Sequence, residues 1–374
     1  MQQWLHKLHK SLEKLKSEQQ LRTLKIYENT DFISNDYLGI VQNDVLQDFM
    51  VEPLMNNIQL GSTGSRLLTG NSVVYEEIEA YFAEYFACAD ALIANSGYDA
   101  NLAILSALPS RNDIILYDEK VHASIKDGMR LSLASKYSVK HNDWNDLEKK
   151  IQKHRNNHAQ ANIFYVFETV YSMDGDIPEL KSLIALAQKY DLILIADEAH
   201  AFGVFGNKGE GILQSQNLHK HVAVRMFGFG KAAGTYGAVI AVQDFTIKSY
   251  LLNTARSIIY TTALSDFQVA TMRLSTDLIE CNPIWRKNLH ENIKLFESLL
   301  SDIPVQSPII PVVTGSNEAL FELFKKVQDA GFDVGMIRSP TVPKGQERLR
   351  IIVHAFNTEE DIRALVEILK NSIK

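Results

Sequence analysis

Apolar residues along this chain fall into two patterns: short unbroken runs, and stretches where they recur every three or four positions. Asp113-Ile-Ile-Leu-Tyr-Asp118, Ala161-Asn-Ile-Phe-Tyr-Val-Phe-Glu168, Asp191-Leu-Ile-Leu-Ile-Ala-Asp-Glu-Ala-His200 and Val222-Ala-Val-Arg-Met-Phe-Gly228 are of the first kind. Runs this short, apolar on both alternations, predict strands buried on both faces, as in a parallel sheet. Val73 to Ala87 and Pro178 to Tyr190 carry the second pattern. In the first of these Val74, Ile78, Tyr81, Phe82 and Tyr85 share one helical face and read as core. Near the N-terminus Trp4, Leu5, Leu8, Leu12 and Leu15 recur between lysines and glutamates, predicting an amphipathic docking helix. Strand and helix alternate, so an α/β fold with right-handed crossovers is expected. From about Cys281 the pattern changes to a long helix, a Pro-rich strand at Ser307-Pro-Ile-Ile-Pro311 and another helix. The expected division is an N-terminal segment 1–36, a large domain 37–280 with a mainly parallel sheet, and a smaller C-terminal α/β domain 281–374.

The chemistry gathers where the apolar runs end. Asp197 and His200 close one run, and Lys231 follows the next, flanked by Gly228, Gly230 and Gly234 that let the backbone approach another group closely. A buried carboxylate, a histidine and a lysine at neighbouring strand ends suit pyridoxal phosphate, which needs a lysine for covalent attachment and an acid to keep its ring nitrogen protonated. Ala91-Leu-Ile-Ala-Asn-Ser-Gly-Tyr-Asp-Ala-Asn101 reads as strand, glycine turn and helix start, where free backbone N–H groups can hold a phosphate. Gly61 to Gly70 offers three glycines and four hydroxyls in ten residues, a loop too polar for core. Glu168 also stands at the carboxyl end of its strand.

At these residues the sequence resembles the fold-type I pyridoxal-phosphate transferases and, within them, the α-oxoamine synthases, over nearly the whole chain. Ser-Asn-Asp-Tyr-Leu-Gly39, Ser-Met-Asp-Gly-Asp176 and Thr341-Val-Pro343 carry the likeness beside the lysine segment. The resemblance implies Lys231, His122 and Asp197 as catalytic residues. It implies cofactor contacts from Gly97, Tyr98, His122, Ser172, Asp197, His200 and Thr262, with Thr262 reaching the phosphate held by a neighbouring subunit. Arg22, Asn35, His122, Thr341 and Arg350 are the implied substrate contacts, Arg350 taking the amino-acid carboxylate. A homodimer with active sites at its interface is expected. The implied reaction is the condensation of L-alanine with a pimeloyl thioester, carried by coenzyme A or by a carrier protein, with loss of carbon dioxide. The aminolevulinate and glycine acetyltransferase branches are alternatives. One position departs from the family: Gly228 stands where a phosphate-binding Thr or Ser is usual.

Other classes fit less well. The glycines give neither a Walker loop, which would need glycine where Arg225 stands, nor a dinucleotide fingerprint, and no nucleophile elbow is present. A nucleotide-binding dehydrogenase and a catalytically silent cofactor-binding protein are the remaining readings from other classes. Hydrophobic content of 46% is distributed without any stretch near the ~18 consecutive apolar residues of a membrane span. The first ten residues lack a secretory apolar core, which predicts a cytoplasmic protein. A net charge of −7 disfavours nucleic acid. Cys88 and Cys281 match no metal spacing, and His154 and His158, four apart without a third ligand, read as solvated helix surface, so no metal is expected.

Overall fold

A computed structural model describes residues 1–18, 20–41, 44, 60–158 and 160–372. The chain opens with α1 (Gln2–Ser17) and β1 (Thr30–Phe32), then α2 (Val73–Tyr85), β2 (Asp90–Ala94), α3 (Gly97–Ala107) and β3 (Ile114–Asp118). It continues through α4 (Ala123–Leu131), β4 (Ser135–Val139), α5 (Trp144–Asn157), β5 (Ile163–Glu168), α6 (Leu180–Tyr190) and β6 (Ile193–Asp197). Five strands complete the sheets: β7 (Val224–Gly228), β8 (Ala238–Val242), β9 (Ile309–Val313), β10 (Phe332–Ile337) and β11 (Arg348–Ile352).

The apolar runs assemble into a seven-stranded sheet in the order β2-β8-β7-β6-β5-β3-β4. Its strands run parallel from β7 to β4, and β8 is antiparallel to β2 and β7. In β5, Ile163, Tyr165 and Phe167 enter one core while Phe164 and Val166 enter another on the opposite face. This is the period-two alternation of a strand covered on both sides. Each fully buried side chain of this size contributes roughly 1.5–3 kcal/mol, so the β5, β6 and β7 backbone is a rigid base for whatever their ends carry.

A second sheet of four strands has the order β1-β10-β11-β9. Here the two ends of the chain meet. β1 pairs in parallel with β10, Thr30 opposite Phe332, and the Phe32 ring packs edge-on to Phe332 at 5.8 Å. The pairing draws the Ser34–Gly39 segment along the end of β11, where Ala355 N–H donates to the Tyr37 carbonyl at 2.9 Å.

Two features differ from the sequence reading. His154 is buried, its ring 4.2 Å from that of Tyr137 on the edge strand β4. It shares the inward face of α5 with Leu147 and Ile151, and its side chain covers the tyrosine rather than meeting water. His158 is exposed, as expected. The amphipathic helix α1 is present, yet none of its residues is buried and Trp4 is 60% exposed, so among the described residues its apolar stripe has no cover. No described helix is long and apolar enough to cross a membrane.

Candidate active site

The carboxyl ends of β5, β6 and β7 lie side by side, with Glu168 in register with Asp197 and Asp197 in register with Met226. Facing them is the start of α3, whose N-cap Ser96 accepts from Asp99 N–H and leaves the first helical amides directed outward. A cavity of about 200 Å³ opens between these elements, lined by Gly97, Tyr98, His122, Asp197, His200 and Lys231. Glu168, Asn101 and Gly228 also line it. Six residues predicted from the sequence therefore converge on one cavity, at the carboxyl edge where open α/β sheets place their ligands.

Burial acts first on the charges here. It lowers the Lys231 amine to about 8, against the pull of Asp197 and Glu168, and the Arg350 charge adds to the lowering. His200, buried and near Lys231 and Arg350, is held well below the usual histidine range and stays neutral. The His122 ring opens into the cavity, and desolvation lowers its basicity although Asp197 opposes this. Glu168 is only 2% exposed; burial, reinforced by the Asp197 charge, raises its pKa well above the ordinary carboxyl range. Asp197 is fixed at both oxygens, Oδ1 accepting from Ala199 N–H at 2.9 Å and Oδ2 from Asn101 Nδ2 at 2.9 Å.

A buried polar group borders the cavity. Arg350 Nε donates to the Ser172 carbonyl at 2.7 Å, and its Nη2 donates to Asn35 Oδ1 at 3.0 Å. The Tyr37 hydroxyl lies 3.3 Å from Asn35 Oδ1 and 2.6 Å from His200 Nδ1, which ties the arginine group to the cavity wall. Arg22 and Thr341 lie elsewhere: Arg22 Nη2 donates to Thr341 Oγ1 at 3.3 Å on the wall of a second cavity of about 680 Å³. Leu21, Phe321, Phe324 and Met336 supply the apolar part of its mixed lining, beside Arg22, Lys25 and Arg338. Thr262 stands exposed, its carbonyl accepting from Asn95 Nδ2 at 2.8 Å. It is outside the lysine cavity of its own chain.

Asn101, Ser124 and Tyr37 were not singled out in the sequence. Asn101 is four residues beyond Gly97 and so on the same helical face, a spacing that marks it once Gly97 is placed. Ser124 follows the α4 N-cap His122 by two residues and Tyr37 lies inside the Ser-Asn-Asp-Tyr-Leu-Gly39 motif, but only tertiary contact gives either a partner.

Comparison with known proteins agrees with this geometry. A family model described as aminotransferase class I and II matches residues 28–369. A protein of Glaesserella parasuis serovar 5 (strain SH0165), provisionally named 8-amino-7-oxononanoate synthase, is 38% identical over 345 residues, covering 90% of this chain and 89% of the relative. A relative from Halalkalibacterium halodurans with the same provisional name is 37% identical over 385 residues, covering 97% of this chain and 95% of its own. Among solved structures, serine palmitoyltransferase from S. paucimobilis with bound PLP and myriocin is 25% identical with a TM-score of 0.88, covering 98% of this chain and 96% of that one. The 8-amino-7-oxononanoate synthase from Francisella tularensis is 30% identical with a TM-score of 0.78, covering 92% and 98%. With a likeness that runs from one end of the fold to the other and takes in the lysine cavity, this chain belongs to the class I and II aminotransferase family.

Proposed function

We propose that the protein is an α-oxoamine synthase that condenses L-alanine with a pimeloyl thioester to give 8-amino-7-oxononanoate, carbon dioxide and the free thiol carrier. It is a pyridoxal-phosphate-dependent acyltransferase. The single observation that carries the reading is the convergence of Lys231, Asp197, His122 and His200 on one cavity at the N-terminus of α3. The cavity suits that cofactor. Among the described residues Glu168 Oε1 is buried there without a hydrogen-bond partner, and Gly97 and Gly228 leave room beside Met226 and Ala199 where a side chain would press. When bound, pyridoxal phosphate supplies an electron sink for the pair left by a broken bond at the amino-acid Cα.

The chain's own residues would do the rest. Lys231, its amine brought nearer neutrality by burial, would hold the cofactor covalently and, once the alanine amine has displaced it, would be free to take the α-proton of alanine at Nζ. Asp197 would hold the proton on the ring nitrogen, and His122, on the cavity wall, would lie against the ring. Neutral His200, with its Nδ1 on the Tyr37 hydroxyl, would hydrogen-bond the phenolic oxygen. The amides of Gly97 and Tyr98 at the start of α3 would receive the phosphate, as helix N-termini do, and Ser172, whose carbonyl accepts from Arg350 Nε, would stand near the cofactor. Arg350, already paired with Asn35, takes the alanine carboxylate bidentately. Arg22 and Thr341 meet the acyl chain in the larger cavity, where the guanidinium can pair with the distal carboxylate of pimelate.

In this reading the protein is a cytoplasmic homodimer, residues 37–280 forming the cofactor domain, 281–374 the small domain and 1–36 the N-terminal segment. Support for a shared site comes from one surface. Ala263 N–H donates to the Gly64 carbonyl at 3.0 Å, placing exposed Thr262 beside a loop whose Leu68 is 79% exposed. The likeness to serine palmitoyltransferase favours a second reading, L-serine with a long acyl thioester. Coenzyme A release, with mass identification of the amino ketone, separates the two. Alanine, glycine and serine are tested against pimeloyl-, succinyl-, acetyl- and palmitoyl-coenzyme A, and alanine with pimeloyl-coenzyme A is expected to be fastest. Preference for serine with the palmitoyl donor moves the assignment to the second reading, and glycine with the succinyl or acetyl donor moves it to the aminolevulinate or acetyltransferase branch.

A further inference from the structure

The hydrogen bonds around Asp197 can be counted hydrogen by hydrogen. Asn101 is 2% exposed, and its side-chain nitrogen has two hydrogens to give. Two acceptors lie in reach: Asp197 Oδ2 at 2.9 Å and Ser124 Oγ at 2.9 Å. Turning the amide over would set its oxygen against the Asp197 carboxylate, acceptor against acceptor, so the network fixes its orientation. Ser124 is fully buried, and its oxygen receives one hydrogen from Asn101. Its own hydrogen points to the other neighbour, His122 Nδ1, at 2.8 Å, because that nitrogen is already made an acceptor by a backbone donor. The same Nδ1 also receives Ser124 N–H at 3.2 Å. A nitrogen that accepts twice carries no hydrogen, so the neutral His122 ring holds its proton on Nε2.

We propose that Asn101 is a positioning residue that, through Ser124, holds His122 in the Nε2–H tautomer while aiming the Asp197 carboxylate with its second hydrogen. One rigid amide thus orders both the acid expected at the cofactor's ring nitrogen and the imidazole expected over the ring face. The part of this statement that concerns the cofactor rests on the reading of the cavity given above. The tautomer does not, because every group that sets it belongs to the chain.

Nitrogen-15 spectra of the histidine rings test the proposal on the full-length protein, both loaded with pyridoxal phosphate and stripped of it. His122 is identified by the resonances lost in His122→Gln. An unprotonated Nδ1 and a protonated Nε2 are expected in both states. Asn101→Asp keeps the size of the side chain but replaces the donor facing Ser124 with an acceptor. The serine hydrogen then turns to the new carboxylate, its oxygen is free to accept from Nδ1, and only the longer backbone N–H still opposes a proton there, so the protonated nitrogen shifts from Nε2 toward Nδ1. Ser124→Ala removes the hydroxyl and leaves that backbone N–H alone on Nδ1, so both nitrogens move part of the way toward averaged positions; this variant carries the test if Asn101→Asp does not fold. In the loaded protein Asn101→Leu, which strips Asp197 of a buried donor, raises the Kd for pyridoxal phosphate on the order of tenfold. A protonated Nδ1 in the unmodified protein, or an unchanged nitrogen pattern in both Asn101→Asp and Ser124→Ala, overturns the proposal. Absence of pyridoxal phosphate binding by the unmodified protein overturns the functional reading instead, and leaves the tautomer measurable in the stripped protein.

Discussion

Lys231 owes its character to two opposed effects, of which burial is the larger. Burial disfavours its charge, while Asp197 and Glu168 favour it, and the balance leaves the amine near 8. A lysine in that state can be a covalent anchor at one moment and a base the next. Borohydride reduction of the loaded protein, followed by peptide mass mapping, should place the pyridoxyl group on Lys231; recovery on another lysine removes the assignment. Asp197→Asn should still bind pyridoxal phosphate but slow exchange of the alanine α-proton 10²–10³-fold, the loss of roughly 3–4 kcal/mol of charge stabilisation. An undiminished exchange rate, followed by proton NMR in deuterated water, refutes that role. The departure at Gly228 has a steric setting: a Cβ there would lie 3.2 Å from the Ala199 Cβ, tighter than side chains ordinarily tolerate. A serine or threonine at 228 would press on the turn that follows Asp197.

At the scale of elements, the loop after β4 is clamped to the segment after β5 by one imidazole. His141 Nδ1 lies 2.9 Å from Asp118 Oδ1 and its Nε2 lies 2.7 Å from Asp176 Oδ2. Burial works against the charge on His141, but hydrogen bonds to both carboxylates outweigh it and push the pKa up to about 9. The segment it holds contains Ser172 and Asp174, and Asp174 in turn pairs with Arg348 on β11. Because the folded pKa lies above the unfolded value of about 6.5, the stabilisation is complete below that pH and is lost as pH rises through about 9. A shift of this size corresponds to a stabilisation on the order of 3 kcal/mol. Urea unfolding of the protein and of His141→Gln should therefore differ most near pH 6 and converge above pH ~10. A difference that is constant with pH would show that the clamp does not depend on charge.

Over the whole molecule, the site is assembled from both ends of the chain. β1 joins β10, and the Asn35–Arg350 contact and the Arg22–Thr341 contact each span the same seam. Arg22→Ala should raise KM for the pimeloyl thioester on the order of tenfold, as expected for losing a charged hydrogen bond, while the spectral change induced by alanine persists. Equal use of the donor by the variant would separate Arg22 from the acyl chain. If the exposed Thr262 surface completes a neighbour's site, light scattering under assay conditions should find the active species to be a dimer, and dilution should remove activity in step with dissociation. A fully active monomer would end the shared-site reading.

What the chain's pattern determined by itself is the set of elements and their kind. Unbroken apolar runs could bury both faces only inside a sheet, which made β3, β5, β6 and β7 legible, and with them Asp197, His200 and Lys231 at or just beyond strand ends. The helical start at Gly97 was legible for the same reason, since a glycine turn between apolar segments has few other uses. Tertiary structure alone decided the partners. Nothing local in Asn101 indicates a carboxylate 96 residues away or Ser124 on the next helix. Tyr37 likewise meets His200 only because β1 joins a sheet whose other strands lie near the opposite end of the chain. His154 shows the limit from the other side: a polar residue on a polar helix reads as surface, and packing against Tyr137 overrode that reading. Periodicity records how each segment meets its own core, whereas hydrogen-bond partners depend on which segments fold side by side.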